Sequence, residues 1–276
     1  MTANLDSTTL VLGATGKTGR RVVERLRSRA VPVRAASRSG TPPFDWEDRA
    51  TWEPALAGAG AAYLSYYPDL AAPGAADTVG AFARLAAGHG VRRLVLLSGR
   101  GEEEAERAEA LVRAAPADVT VVRSSFFAQN FSESLFRDAL LAGELALPVD
   151  GVPEPFVDVD DIADVAVAAL TEDGHAGRLY EVTGPRLLSY AEAVAEIARA
   201  AGRPVRFTTV TTDEWVAGLR AAGVPDDVVA LLVYLFTEVM DGRNARLADG
   251  VQRALGRAPG DFGDYAARAA AAGAWG

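Results

Sequence analysis

Short apolar runs alternate with amphipathic stretches along the first 125 residues of the chain. The apolar runs are rich in β-branched residues and predict strands, which cover residues 8–14, 31–37, 60–67, 91–98 and 118–125. Between these runs the apolar residues recur at helical spacing, and the predicted helices cover residues 18–30, 75–90 and 102–115. Strands separated by helices form mostly parallel sheets, because right-handed crossovers place helices on both faces. The pattern therefore predicts an α/β fold with a doubly wound parallel sheet.

The periodicity changes after residue 140. The segment LAGELALPVDG, residues 141–151, predicts a hairpin. Ser189 and Thr211 are each followed three residues later by a glutamate, which is the capping-box spacing that predicts the start of a helix. The apolar run VVALLVYLF at 228–236 is broader than one amphipathic stripe. It predicts a core helix, with an apolar lid or a homodimer interface as the alternatives.

Composition narrows the classes of protein that the chain can belong to. It has 276 residues, of which 49% are hydrophobic, and a formal net charge of −9, so a nucleic-acid surface is not expected. There are no cysteines and only two histidines, which excludes disulfides and thiolate sites and makes a metal site unexpected. The apolar run at 228–236 is shorter than the ~20 residues that span a bilayer, and MTANLDSTTL lacks the features of a signal peptide. A cytoplasmic protein with no membrane partner is expected.

The segment VLGATGKTGRR, residues 11–21, shares features with two different phosphate-binding loops. Lys17 and Thr18 follow Gly16 as in a P-loop, but that motif also requires a glycine at position 11, which is Val11. A dinucleotide loop instead needs a strand before it, closely spaced glycines and a helix after it, and all three are present here. The free N–H groups at the helix start would then face a pyrophosphate. The loop residues of this predicted cofactor site are Gly13, Thr15, Gly16, Lys17, Thr18 and Gly19.

The end of the second predicted strand indicates which nicotinamide cofactor is bound. NAD-specific sites place an acidic residue there for the ribose 2′-hydroxyl, whereas residues 33–38 are VRAASR and contain none. Ser37 and Arg38 occupy the position instead and favour NADP(H). The alternative is that Arg38 is only a solvated loop residue.

Several stretches of the chain together resemble the NmrA-like family of atypical short-chain dehydrogenases/reductases. They are LVLGATGKTGRRVVERL, the arginine after the second strand, RLVLLSG, TVVRSSFFAQNF at 120–131 and PFVDVDDIADVAVAAL at 155–170. The resemblance implies a Rossmann core that binds NADP(H) in residues 1–140. It further implies that residues 141–276 complete the core and end in a small, mainly helical, substrate-covering region. Family members are either reductases, such as quinone and phenylpropanoid reductases, or proteins that sense the nicotinamide pool without turnover.

Catalysis in this chain must differ from that of typical short-chain reductases, which use Tyr-x-x-x-Lys to protonate the carbonyl oxygen. The chain's single lysine is Lys17 in the glycine loop, so the motif is absent. Ligands of open α/β sheets lie beyond the carboxyl ends of the strands, which leaves Tyr66, Tyr67 and Ser98 as candidate catalytic residues. Aromatic packing for the tyrosines and helix capping for the serine are the alternatives. The acids that follow Ser98 in GRGEEEAERAEALVRAAP are expected to complement the helix dipole.

The fifth predicted strand leads into the candidate substrate-binding residues, which are Phe126, Phe127, Gln129 and Asn130. The phenylalanines form either simple core or a flat apolar wall against the nicotinamide and an aromatic substrate. Hydride transfer needs only alignment of cofactor and acceptor, and a quinone can take its proton from water or a neutral tyrosine. The sequence therefore favours an NADPH-dependent reductase of a small apolar conjugated acceptor such as a quinone or enone. A non-catalytic NADP(H)-sensing protein and a redox-neutral lyase or cyclase stay open as alternatives.

Overall fold

A computed structural model describes residues 7–276 of the chain. The segment predicted to lack a signal peptide begins in residues 1–6, which lie outside the described residues. The strands, numbered in chain order, are β1 Thr8–Leu12, β2 Val33–Ala36, β3 Ala59–Leu64, β4 Arg93–Gly99, β5 Asp118–Ser124, β6 Glu144–Leu147, β7 Leu179–Val182 and β8 Arg206–Thr209. Each of the five strands predicted before residue 125 is confirmed.

The helices are α1 Lys17–Ser28, α2 Trp52–Leu56, α3 Ala75–Gly88, α4 Glu103–Arg113, α5 Leu135–Ala142, α6 Val159–Thr171, α7 Tyr190–Ala201, α8 Thr212–Ala221, α9 Asp226–Tyr234, α10 Gly250–Leu255 and α11 Phe262–Ala271. Both predicted capping boxes are confirmed, and they begin α7 and α8. In the first of them Ser189 Oγ accepts a hydrogen bond from the Glu192 amide at 3.2 Å. No helix within residues 7–276 is both long and apolar enough to cross a membrane.

The chain divides into two compact units that alternate along the sequence. The first unit comprises the chain up to Ser124 together with Val159–Val182 and Asp249–Ala258. The second unit comprises Ser125–Asp158, Thr183–Ala248 and Pro259–Gly276. The predicted division at residue 140 gives two continuous segments, whereas each of the two compact units consists of three separate segments.

The first unit is built on a parallel sheet with the strand order β2-β1-β3-β4-β5-β7. The order reverses between β1 and β3, because the chain first moves outward to β2 and then returns to continue on the other side of β1. Helices α1 and α6 pack against each other, as do α3 and α4, and right-handed crossovers place these two pairs on opposite faces. This arrangement confirms the predicted doubly wound Rossmann-type fold, in which the crevice for a ligand opens at the point of reversal.

Alternation along the strands fills both faces of this sheet. Leu10 and Leu12 of β1 lie in one apolar cluster with Leu94 and Leu96 of β4 and with Phe82 of α3, and all are fully buried. Residues of opposite alternation face α1 and α6, which is why the β-strands read as nearly continuous apolar runs. Both faces of the sheet in the first unit are thus covered, so a ligand can reach this sheet only at its edges.

The predicted hairpin at 141–151 is wrong. Strand β6 pairs in parallel with β8, with Glu144 opposite Arg206 and Leu147 opposite Thr209. The carboxylate of Glu144 lies 2.8 Å from the Arg206 guanidinium. The alternation that buries Leu145 and Leu147 identifies a strand, but it does not identify the partner, which lies about sixty residues further along the chain.

Aromatic side chains form the core of the second unit. Phe131, Phe156, Tyr190 and Phe262 are almost fully buried and meet mainly edge to face, as in the Phe131–Phe156 pair at a centroid separation of 5.3 Å. The apolar run at 228–236 spans α9 and enters a five-residue π-helix, Leu235–Val239. The run contributes Val229 and Phe236 to this core, as predicted, while its remaining apolar residues are half-buried or exposed.

Candidate functional site

The loop between β1 and α1 has the geometry that its glycines predict. Gly13 has φ +64°, a conformation that favours glycine, and its carbonyl accepts a hydrogen bond of 2.9 Å from the Gly16 amide. A Cβ on Gly19 would collide with the Gly13 carbonyl, so α1 and the loop approach more closely than any side chain allows. Gly16 has ordinary extended backbone angles, and a Cβ there would lie 3.2 Å from the Gly13 oxygen. Gly13 and Gly19 are therefore required by the fold of the loop, whereas a side chain at Gly16 would be crowded only by the Gly13 oxygen.

The first turn of α1 is suited to a pyrophosphate. Gly16 is the N-cap residue and supplies no capping side chain, and the first turn, all of which is described, holds no acidic residue. The amides of a helix start carry partial positive charge and need a partner. Thr15 and Gly16 are exposed, Lys17 is half-buried and Thr18 is buried. This cradle of backbone N–H groups under an exposed glycine fits the diphosphate of a dinucleotide.

A depression next to the glycine loop lies between α1 and the end of β2. Ser37 lines it from β2, and Thr15 lines it from the loop. Arg20, Glu24 and Arg27 line it from α1, which gives the depression a net positive charge. Arg20 is not among the residues predicted for the cofactor site, although a basic residue one helical turn after Gly16 is a signal for an anion held beside the loop.

Arg38 follows Ser37 and is exposed. Its guanidinium carbon lies 5.3 Å from the ring centroid of Tyr67, which is itself 66% exposed. A guanidinium over an aromatic face keeps its N–H donors in the ring plane available to an anion. The structure therefore brings together two residues for which the sequence predicts different roles, one in cofactor binding and one in catalysis.

Tyr66 lies in a different environment from Tyr67. It is half-buried, and its ring centroid lies 5.1 Å from that of Trp46. Burial raises the pKa of the Tyr66 hydroxyl. A hydrogen bond with Thr78 lowers this pKa, and the charge of Glu47 raises it further. A phenol with a raised pKa is a weaker acid than a free one.

Ser98 is the penultimate residue of β4 and is 2% exposed. Its hydroxyl donates a hydrogen bond of 2.7 Å to Glu109 Oε1, and its carbonyl accepts one of 3.2 Å from Ser124 Oγ. Arg123 of β5 holds the same Glu109 carboxylate at 2.6 Å. Ser98 is thus part of a buried network that joins β4, α4 and β5.

Two acids that the sequence analysis assigned no chemistry lie at the same edge of the sheet. Asp69 lies in the loop after β3, and Glu102 lies between β4 and α4. Both are half-buried, and each interacts electrostatically with its neighbours rather than only with solvent. The parallel pairing of β3 with β4 brings these two loops side by side.

The predicted substrate residues lie in the second unit. Phe126 is half-buried, and its ring centroid lies 5.7 Å from that of Phe236. Phe127 pairs in a parallel bridge with Val157. Gln129 is buried and donates a hydrogen bond of 2.7 Å to Asp158, and the Asn130 carbonyl accepts the Ser134 hydroxyl. Roles for these four residues in substrate binding stay predictions.

Comparison with known proteins identifies relatives along nearly the whole chain. No family model matches. An uncharacterized oxidoreductase of Bacillus subtilis, YesF, is 31% identical over 273 residues, which is 95% of either chain. A (4-alkanoyl-5-oxo-2,5-dihydrofuran-3-yl)methyl phosphate reductase of Streptomyces griseus is 33% identical over 283 residues, 95% of this chain and 98% of that protein.

Among solved structures, the NADPH complex of an Escherichia coli quinone oxidoreductase, QOR2, has the same fold. The TM-score is 0.76 with 18% sequence identity, and the alignment covers 95% of this chain and 99% of that one.

Proposed function

Since this chain belongs to the NmrA-like family of atypical short-chain dehydrogenases/reductases and is an NAD(P)H-dependent oxidoreductase, we propose that it uses NADPH to reduce small apolar conjugated acceptors, such as quinones or enones. The observation that carries the proposal is a dinucleotide loop of complete geometry in a chain whose single lysine, Lys17, lies in that loop. The loop can therefore bind the cofactor that supplies the hydride. The lysine with which typical short-chain reductases assist the reduction of ordinary ketones has no counterpart in this chain.

The proposed site for NADPH follows the carboxyl edge of the sheet in the first unit. The amides of Lys17 and Thr18, next to exposed Gly16, bind the diphosphate, and Ser37 with Arg38 binds the 2′-phosphate. Bound there, the cofactor supplies a hydride to the acceptor. The adenosine half lies toward β2, so the nicotinamide half extends over the ends of β3 and β4, because the chain order reverses between β1 and β3.

The nature of the acceptor follows from the acids available to it. A hydride acceptor whose negative charge is delocalised over a conjugated system needs less help from a proton donor than a simple ketone. Tyr66, whose pKa is raised by burial, is a poor acid, and the Ser98 hydroxyl is held by Glu109. The Streptomyces griseus relative supports the proposal, since the name of its substrate describes a conjugated ring carbonyl.

The test is NADPH oxidation by the purified protein against a matched panel of quinones, enones and saturated ketones, run beside NADPH-binding titrations. We expect turnover with conjugated acceptors and little with saturated ketones of the same size. Tight NADPH binding without turnover of any acceptor would contradict the proposal and favour a sensor of the nicotinamide pool. Efficient reduction of saturated ketones would contradict the proposed acceptor class while leaving the reductase assignment intact.

A further inference from the structure

Glu102 stands at the start of α4 without acting as a cap for that helix. It is the N-cap residue, with φ −111° and ψ 116°, and its side chain makes no capping hydrogen bond with the described residues. The dipole of α4 is complemented instead by Glu103, Glu104 and Glu106 in the first turn. The expectation that all acids after Ser98 serve the helix dipole therefore does not account for Glu102.

The carboxyl group of Glu102 lies directly over the backbone of Gly99. A Cβ on Gly99 would collide with both carboxyl oxygens and with the carbon between them, so a glycine is required where the Glu102 side chain folds back over β4. The Oε2 atom is buried and has no hydrogen-bond partner among residues 7–276. A buried carboxylate oxygen without a donor loses its hydration with no compensation, whereas a protonated carboxyl has no charge to solvate.

The charges that face Glu102 favour its neutral form. Burial raises its pKa well above the usual range, and the negative charges of Asp69, from the loop after β3, and Glu109, from α4, raise it further. Arg123 of β5 lies 2.6 Å from the Glu109 carboxyl group. Arg100, which directly follows β4, is buried and faces Glu181 of β7 at 3.6 Å.

Among the described residues, Asp69 has backbone hydrogen-bond donors that Glu102 lacks. Its Oδ1 accepts a hydrogen bond of 2.9 Å from the Ala71 amide. Burial raises the pKa of Asp69, but this amide and that of Leu70 oppose the rise by donating to the carboxylate. Backbone donors stabilise the charged form of an acid, so of these two interacting acids Glu102 is the one whose environment favours the neutral form.

The position of the pair relative to the glycine loop is fixed by the sheet. Gly13 lies against Ser65, the residue that follows β3, since a Cβ on Gly13 would be 3.3 Å from the Ser65 Cβ. In the strand order β3 and β4 lie on the side of β1 opposite to β2, and the loops that follow them carry Asp69 and Glu102. Adjacent strands are about 4.8 Å apart, so these loops lie within the reach of the nicotinamide half of a dinucleotide whose diphosphate sits at the glycine loop.

We propose that Glu102 holds a proton at neutral pH beside ionised Asp69 and donates it to the acceptor oxygen, which makes Glu102 the catalytic acid of this reductase. The proposal rests on the proposed function. The acceptor gains a C–H bond by taking a hydride from bound NADPH, and its π electrons move to the conjugated oxygen. That oxygen forms an O–H bond as the Glu102 O–H bond breaks, and the Glu102 carboxylate regains a proton from water.

The first test follows the proton itself in the protein without cofactor. Carboxyl-labelled glutamate, observed by ¹³C NMR across a pH titration, should give a signal that is still protonated at neutral pH, far above the ~4.3 of a free glutamate. Glu102→Gln should remove that signal, and Glu103→Gln, a matched change at the exposed next residue, should leave it. Asp69→Asn should lower the pH of its transition, because the neighbouring negative charge is gone.

The second test follows catalysis. Glu102→Gln should still bind NADPH, and its kcat for a conjugated acceptor should fall by about 10²–10⁴-fold, the range for loss of a general acid. The wild type should lose activity as pH rises through the transition seen by NMR, and the variant should lack that limb. Glu103→Gln should retain the wild-type profile.

The outcomes separate this proposal from the proposed function. If every glutamate titrates in the usual range, or if Glu102→Gln keeps wild-type kcat and pH profile, the acid role of Glu102 is overturned while the reductase stands. If the wild type binds NADPH and reduces nothing, the acid role falls together with the proposed function. Thermal unfolding of each variant verifies that loss of activity is not loss of fold.

Discussion

Arg38 is the residue on which the choice between the two nicotinamide cofactors depends. It lies at the end of β2 over the exposed ring of Tyr67, and the adjacent depression carries Arg20 and Arg27. The 2′-phosphate is the only group that distinguishes NADPH from NADH. A charge-assisted hydrogen bond to it from Arg38 would therefore act on one cofactor and not on the other.

Arg38→Ala should weaken NADPH binding by about 1.5–3 kcal/mol and leave NADH binding nearly unchanged, which calorimetric titration of both cofactors measures. Arg113→Ala serves as the control, since it removes the same charge from the exposed last turn of α4. An equal loss for both cofactors would contradict a 2′-phosphate contact.

Removing a tyrosine hydroxyl at the carboxyl edge of the sheet should lower kcat less than removing a catalytic acid would. Tyr66 packs on Trp46, and Tyr67 lies beneath Arg38. Tyr66→Phe and Tyr67→Phe should each lower kcat for a conjugated acceptor by about 10²-fold or less, as steady-state kinetics would show. A larger loss on removing either hydroxyl would assign the proton transfer to that tyrosine and not to Glu102.

At the scale of single residues, the sequence was informative where spacing encodes geometry and uninformative where it does not. Gly13, Gly16 and Gly19 could be predicted because their spacing is tied to one loop conformation. Glu102 could not, because an acid before a helix is usual for electrostatic reasons, and its contact with Gly99 depends on how β4 turns into α4.

The β1–α1 element combines two kinds of glycine, and substitution should separate them. Gly16 has extended backbone and a Cβ there would lie 3.2 Å from the Gly13 oxygen, whereas a Cβ on Gly19 would collide with that oxygen. Gly16→Ala should weaken both NADPH and NADH at least tenfold, about 1.4 kcal/mol, with a smaller loss of stability than Gly19→Ala. Gly19→Ala should lower the free energy of unfolding by about 1–3 kcal/mol, as denaturant melts would measure. The reverse pattern would contradict the assignment of Gly16 to the diphosphate.

His175, in the segment before β7, should make the free energy of unfolding of the first unit depend on pH. His175 is buried, its Nδ1 lies 2.9 Å from the Tyr180 hydroxyl, and its carbonyl accepts the Thr120 hydroxyl at 2.7 Å. Burial lowers the pKa of His175 from its ordinary value of 6.5. The unfolded chain therefore binds the proton more readily than the folded one, and stability is lost as pH falls below about 6.5.

Denaturant melts at a series of pH values should show this loss in the wild type. His175→Gln should make stability less dependent on pH in the same window. His89→Gln, a change at the exposed histidine that caps α3, is the control and should keep the wild-type dependence. An unchanged pH dependence in His175→Gln would show that carboxylates alone produce the loss.

At the scale of elements, the first unit was predictable, and in the second unit the starts of α7 and α8 were predictable but the pairing of β6 was not. Strands β1 to β5 alternate with helices in a regular order, and that order determines a parallel sheet. The residues next to β6 do not indicate which strand pairs with it. The chain between Leu147 and Arg206 forms several other elements before it reaches β8, the strand that pairs with β6. Long-range pairing of short strands is decided by packing that no local pattern records.

The molecule as a whole pairs an ordinary nucleotide-binding sheet with an unusual distribution of charge. One lysine and 37 acidic residues stand in the chain, and the lysine lies in the glycine loop. A reductase with that composition cannot lower the pKa of a tyrosine by placing a lysine beside it, so its acid must be one that carries its own proton. The half-buried pair of Asp69 and Glu102 is the source of that proton in our proposal.

The central claim, that the protein transfers a hydride, is tested most directly by single-turnover reduction of an enone with NADPH deuterated at C4 of the nicotinamide. The account predicts that the saturated product gains one deuterium at its β-carbon, in an amount equal to the NADPH consumed. Bound NADPH that stays reduced and an enone that stays unlabelled would contradict it.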